Sequence, residues 1–198
     1  MILTYAIFVG FFVGISIHKL FGKPYQLPKI KSIELVFIAV LPQIVIFQLN
    51  FTRTFFSDRF ASLSLIISQL ILVVFCFINF KQPAFWFLTA GLILNLIVIV
   101  TNGGFMPISP KNVSWLIPNI TDTAGLMGKR LGFGKDIVLL ENQTKLLLLS
   151  DYFRFDFLNQ KFMYSIGDVI LAIGAFWYML GLKTELLTMP GLMEKNNV

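Results

Sequence analysis

One cysteine and one histidine in 198 residues leave little room for the common metal and nucleophile chemistries. With Cys76 alone, neither an intramolecular disulfide nor a cysteine-based metal site can form, and its place in an apolar run suits a small buried hydrophobe. His18 stands beside Lys19 at the end of the first apolar run, where an imidazole anchors at an interface, and no second histidine exists to complete a metal site. No metal and no cofactor is therefore expected. Charge is scarce too: 13% of the chain is charged and 57% hydrophobic, which excludes a soluble domain of this size. The basic residues are not interleaved with aromatics in a polar domain, so a nucleic-acid partner is excluded as well. There is no low-complexity tract, and no internal repeat that argues for inverted symmetry.

What is present is apolar length. Charge-free runs over Met1–Ile17, Leu35–Thr52, Phe60–Phe80 and Gln82–Pro110 reach or approach the roughly 20 residues that cross about 30 Å of hydrocarbon. A fifth run, Phe162–Leu182, is interrupted only by Asp168. The expected fold is all-α, a polytopic transmembrane helical bundle of about five spans (1–18, 35–52, 60–80, 84–101 and 162–182). These spans form one membrane domain, 1–182, with an extracytoplasmic lid-like loop over 102–161 and a cytoplasmic tail over 183–198. The first run lacks a basic leader and a small-residue cleavage site, so it reads as a retained span rather than a secretory signal.

Orientation follows from Lys19, Lys23, Lys29, Lys31, Lys81, Lys183 and Lys195, which belong on the cytoplasmic side. That puts the N-terminus and the 102–161 segment outside and the C-terminus inside. Arg53 and Arg59 oppose this, but Asp58 and the larger lysine cluster outweigh them. The net charge of +6 is mostly this bias and suits anionic headgroups, so membrane lipids are the expected partners.

Within the spans, Gly10 and Gly14 form a GxxxG pattern that lets two helix backbones approach, either inside the chain or across a homodimer. Pro42, Gln43 and Gln48 interrupt the second span, and Gln69, Asn79 and Asn95 are too few and too uncharged to sketch an ion pathway. The 102–161 segment opens with Gly103, Gly104, Pro107, Pro110 and Pro118, which forbid regular helix at the start. Its apolar clusters around 137–140 and 146–149, parted by Glu141–Lys145, are too short to span; they lie on the membrane surface or pack on the spans. Asn102-Gly103-Gly104 is either a tight exit turn or a binding loop; it lacks the Lys-Ser/Thr and the preceding strand of a phosphate-binding loop.

Asp168 is the sharpest lead, because a carboxylate within a span costs several kcal/mol unless something offsets it. Gly167, Gly174 and Gly181 recur at heptad spacing beside it, giving one small, closely packing face. Counting from Lys183 at about 1.5 Å per residue places Asp168 about a third of the way in from the outer surface. Its partners are sought among Arg154, Arg130, Asn102, the amides of Gly103 and Gly104, or Asp151 sharing one proton. The candidate binding set is accordingly Asn102, Gly103, Gly104, Arg154 and Asp168.

Two resemblances follow from these residues. Asn102-Gly103-Gly104-Phe105-Met106-Pro107 after a fourth span, paired with Ser165-Ile166-Gly167-Asp168 in a fifth, resembles a domain-of-unknown-function family of small bacterial membrane proteins, over about Gly91 to Gly181. That family's pattern prefers a basic residue where Phe105 stands. The resemblance implies the bacterial cytoplasmic membrane and brings no reaction. More locally, the 149–157 strip followed by 162–175 is similar to the active-site strip of lipoprotein signal peptidases, which implies Asp151 and Asp168 as a catalytic dyad, one base and one protonated acid. No Asn-x-x-Asp-Arg precedes Asp151, however, and five spans replace four. The leading expectation is therefore an accessory subunit or ligand-binding membrane component with an outward-facing polar site around Asp168, in which Asp151 is a solvated residue beside Arg154. The alternative is an aspartyl intramembrane peptidase, and small-solute or ion transport ranks third.

Overall fold

The computed structural model describes residues 2–49, 52, 55–120, 122–132, 134–157 and 160–182. Lys183, Lys195 and the rest of the expected tail, like Arg53, lie outside the described residues. Helix α1 runs Ile2–Leu20, α2 Glu34–Gln43 with a π-helical turn over Ile44–Gln48, α3 Asp58–Ile78, α4 Pro83–Thr101, α5 Pro110–Leu116 and α6 Ile166–Met179. Three of these, α1, α3 and α4, are long and apolar enough to cross a membrane; α2 with its π turn and α6 are shorter apolar helices.

Local chemistry sets the boundaries. The Ser57 hydroxyl accepts from the Phe60 amide to start α3, and Pro83 opens α4 at a position whose missing N–H costs nothing. Pro42 lies inside α2, and the ladder widens into the π turn at Ile44, one way a helix absorbs the backbone bond that a proline deletes. Ile46 and Phe47 are buried at this turn and the helix ends at Gln48, so the second run yields a helix shorter than 35–52.

The apolar helices pack in the neighbour order α1, α6, α4, α3, α2. Small residues make the closest crossings. A Cβ on Gly91 of α4 would stand 2.6 Å from the Gly167 carbonyl of α6, and one on Gly174 would stand 2.9 Å from the Ala84 carbonyl. Toward α1, a Cβ on Gly10 or Gly14 would stand 2.8 Å from the Phe176 carbonyl or 2.7 Å from the Met179 carbonyl. The GxxxG pattern therefore serves packing within the chain, with its face taken by α6. Outside, Phe8, Phe12, Phe37, Phe77 and Trp86 are exposed, as residues bathed in hydrocarbon would be.

One end of the bundle is closed by the 21–33 segment. Tyr25 donates to the Met179 carbonyl, Tyr178 to the Pro28 carbonyl, Gln82 to the Lys29 carbonyl, and Asn79 exchanges two bonds with the Lys31 backbone. His18 is here too, buried, with Nδ1 2.8 Å from the Gly14 carbonyl and its ring edge-on to Tyr25; it is a packed side chain rather than a surface anchor. Cys76 is buried in the apolar cluster of α3 and α4, as expected.

At the other end the 102–164 segment corrects the all-α expectation. Strand β1 (Met106–Ile108) pairs in parallel with β2 (Asp136–Val138), and β3 (Phe153–Phe157) pairs antiparallel with β4 (Gln160–Tyr164). Phe105 and Met106 are buried against Ile46, Phe47, Ala61 and Val98, and Ile108, Val113 and Val138 form a core of their own. The segment is thus a small folded cap rather than a loop. Of its two apolar clusters, Val138 is interior, whereas Leu140, Leu146 and Leu148 are exposed.

Candidate functional site

Asp168 owes its position to Ser165. The run from Phe162 is not all helix: 160–164 is strand β4, and α6 begins only at Ile166. The Ser165 hydroxyl accepts from the Asp168 amide at 3.0 Å while Asp168 Oδ2 accepts from the Ser165 amide at 3.1 Å, a reciprocal cap of the helix N-terminus. Asp168 is therefore in the first turn, not a third of the way down a span. Its Oδ1 accepts from Asn95 Nδ2 of α4 at 2.9 Å, and Asn95 Oδ1 in turn accepts from the Ser165 hydroxyl at 2.9 Å. Gly91 and Gly167 allow this: the close crossing leaves no room for a Cβ on Gly167, which would run into Asn95 Oδ1. The carboxylate is thus offset by hydrogen bonds from Asn95 and the Ser165 amide, by the helix dipole and by the charge of Lys135, not by Arg154, Arg130 or Asn102.

The cap delivers the remaining charges. Parallel pairing places Asp136 opposite Met106, with the Met106 amide donating to the Lys135 carbonyl at 3.0 Å. The Asp151 amide donates to the Pro107 carbonyl at 3.3 Å, and Asn112 Nδ2 holds the Asp151 carbonyl at 3.1 Å. Strand β1 is consequently flanked by Asp136 on one side and Asp151 on the other. Asp151 is buried, and no donor among the described residues reaches Asp136 Oδ1 or Asp151 Oδ1. The two carboxyls lie within hydrogen-bonding reach of each other, so a proton held between them satisfies both.

These groups line a cavity of about 770 Å³. Its floor carries Lys135, Asp136, Asp151 and Asp168; its walls are Ile2, Leu3 and Val9 of α1, Leu171 of α6, and Phe162 and Tyr164 of β4. Lys135 is exposed and Asp136 half-buried, and both lend surface to the cavity wall. Burial pushes the Asp151 carboxyl up to about 7, with the charges of Asp136 and Asp168 adding to the rise and Lys135 opposing it. Asp136 is likewise raised, by burial, against Lys135. Lys135 is held above its ordinary value by Asp151 first, despite burial, then by Asp168 and Asp136. The arrangement combines an acid that exchanges its proton near neutrality, a nearby cation and an apolar approach.

The sequence-derived set divides. Asp151 and Asp168 come together at the cavity; Asn102, Gly103, Gly104 and Arg154 are absent from its lining. Asn102 is buried, donates to the Val98 and Lys145 carbonyls, and accepts from the Lys145 amide, so it pins the cap to the end of α4. Gly103 and Gly104 make the turn at φ +82° and +91°, the latter tight against Ser62. Arg154 bonds Asn112 Oδ1 and the Lys111 carbonyl and faces the Trp115 ring, so the solvated Asp151–Arg154 arrangement does not form. Arg130 pairs with Asp58 at 3.2 Å and lies over Phe47 and Phe105, a second pin. Sequence reasoning missed Lys135, Asp136, Asn95 and Ser165. Of these, only Ser165 had a local signal, the Ser-x-x-Asp cap spacing immediately before an apolar run.

No curated protein and no solved structure matches the chain. One family model matches over residues 28–180, a range that takes in α2, α3, α4, the whole cap and α6 and so every charged group on the cavity floor. The chain belongs to the family of unknown function DUF5317.

Proposed function

We propose that this chain is an integral membrane protein of five spans that binds the polar end of a membrane-borne amphiphile in the cavity floored by Lys135, Asp136, Asp151 and Asp168. The observation that carries the reading is the cavity itself: charged groups at its floor, and walls built partly from the apolar helices α1 and α6. The five apolar helices alternate between the lysine-rich end and the cap end, which suits five crossings with the cap and N-terminus outside and the C-terminus in the cytoplasm. Helices α2 and α6 are short for about 30 Å of hydrocarbon, a mismatch that local bilayer thinning absorbs at modest cost. The bacterial cytoplasmic membrane and a role as accessory subunit or ligand-binding component fit this picture. Leu3→Trp, which fills the cavity mouth, should abolish retention of co-purified lipid in native mass spectrometry; unchanged retention would refute the reading. Labelling of intact cells should modify Asn119→Cys and spare Lys23→Cys, both exposed positions.

A second reading, aspartyl hydrolysis within the membrane, is favoured by the Asp151 carboxyl poised at about 7 beside Asp136 and Asp168. It requires cleavage of a lipid-modified or transmembrane peptide by purified protein, lost in both Asp151→Asn and Asp136→Asn. Binding without turnover separates the first reading from the second.

A further inference from the structure

The cavity floor has more negative than positive charge and more acceptors than donors. Lys135 and Lys161 line the cavity with Asp136, Asp151 and Asp168, so two cations face three carboxyls. Asp168 is already bonded by Asn95 and Ser165, whereas among the described residues Asp136 Oδ1 and Asp151 Oδ1 have no donor besides the one proton that the two carboxyls can share. Asp151 is buried to 5% exposure, so bulk water does not satisfy it. What completes such a floor is a group that brings both positive charge and several N–H donors. A primary ammonium does so with three hydrogens, while a quaternary ammonium brings charge without donors and an anionic headgroup adds to the repulsion. On the rim, Lys161 also lines the cavity; its Nζ donates to the Trp115 carbonyl at 3.0 Å and lies 5.3 Å from the Trp115 ring. That gives the lining a second cation, held on Trp115, to which an amphiphile's anionic linkage can turn.

Building on the amphiphile-binding reading, we propose that the ligand is a zwitterionic amphiphile with a primary ammonium, which enters between α1 and α6, places its ammonium on Asp136 and Asp151 in place of their shared proton, and sets its anionic group toward Lys161. The exchange is a displacement: one proton leaves the carboxyl pair as the ammonium arrives, and no covalent bond changes. Phosphatidylethanolamine is the natural probe, with phosphatidylcholine as the donor-free control and phosphatidylglycerol as the anionic one.

Full-length protein in nanodiscs of equal parts of the three lipids should, by native mass spectrometry, retain phosphatidylethanolamine over the other two. Because the ammonium competes with a proton on a carboxyl that titrates at about 7, retention should rise about tenfold between pH 6 and pH 8. Asp151→Asn should lower retention and flatten the pH dependence. The wild-type titration stands even if that variant does not fold. Preference for phosphatidylglycerol, equal retention of phosphatidylcholine, or retention that is flat or falls with pH would overturn the ammonium assignment while leaving the cavity as a lipid site. Retention unaffected by Leu3→Trp would remove the cavity reading itself.

Discussion

Replacing Asp168 with leucine tests whether the polar triad at the top of α6 holds the bundle together. Leucine fills a similar volume but accepts no hydrogen bond, so Asn95 Nδ2 and the Ser165 amide lose their acceptor. Asn95 is 5% exposed and Ser165 is fully buried, so neither group regains a partner from bulk solvent. At about 1–3 kcal/mol for each stranded buried donor, the loss is about 2–6 kcal/mol. Asp168→Asn keeps one acceptor oxygen, and rotation of the Asn95 carboxamide relieves much of the remaining conflict, so about 1 kcal/mol is expected. Thermal unfolding in detergent, followed by tryptophan fluorescence, measures both. The reasoning fails if Asp168→Leu melts with the wild type, because its carboxylate would then be facing water or headgroups rather than Asn95. It fails equally if the asparagine and leucine variants lose the same amount.

Gly167→Ala should also destabilise, by about 1–3 kcal/mol, since its Cβ overlaps Asn95 Oδ1 and approaches the Gly91 carbonyl at 2.9 Å; Gly128→Ala, with nothing within 4 Å, should show only the smaller cost of its φ of +70°. Asn102→Ala should speed amide exchange at Lys145 and loosen the cap to protease while leaving ligand retention at its wild-type level, as expected of a pin outside the cavity. The folded chain keeps a proton on Asp151 up to about pH 7, whereas the unfolded chain releases it near pH 4, so raising pH across that window costs stability. The full window corresponds to about 4 kcal/mol, reduced by whatever Lys135 gains from the ionised form, and Asp151→Asn should remove this slope from a melting-temperature profile.

The apolar runs were legible because crossing length and hydrophobicity are local properties. The ends of α1, α3 and α4 fall within two residues of the stretches 1–18, 60–80 and 84–101. The start of α6 was misplaced because Phe162–Tyr164 is apolar enough to pass for helix while pairing as strand β4; the Ser165 cap spacing was the corrective signal. Gly167 and Gly174 read correctly as a close-packing face, yet their partners, Gly91 and Ala84, could be found only in three dimensions. The same holds for the site. Asp168 stood out against its apolar surroundings, but Lys135 and Asp136 sit in a polar, glycine-rich stretch where charge is unremarkable. They reach the cavity only because β2 pairs with β1 across a long crossover, a non-local event that no spacing rule announces. Asn102 shows the converse: a conspicuous loop motif whose side chain is spent on backbone groups of Val98 and Lys145.

Asp136 and Asp151 come within hydrogen-bonding reach at the cavity floor, where they share a proton. Difference infrared spectroscopy of the full chain in nanodiscs, titrated with pH, observes that proton directly. A protonated carboxyl band should persist to about pH 7 and vanish above it, be absent from Asp151→Asn, and remain in Asp122→Asn, whose exposed carboxylate is remote from the cavity lining. If every carboxyl is ionised by about pH 5, as for ordinary solvated aspartates, or if the band survives in Asp151→Asn, the shared-proton floor does not exist.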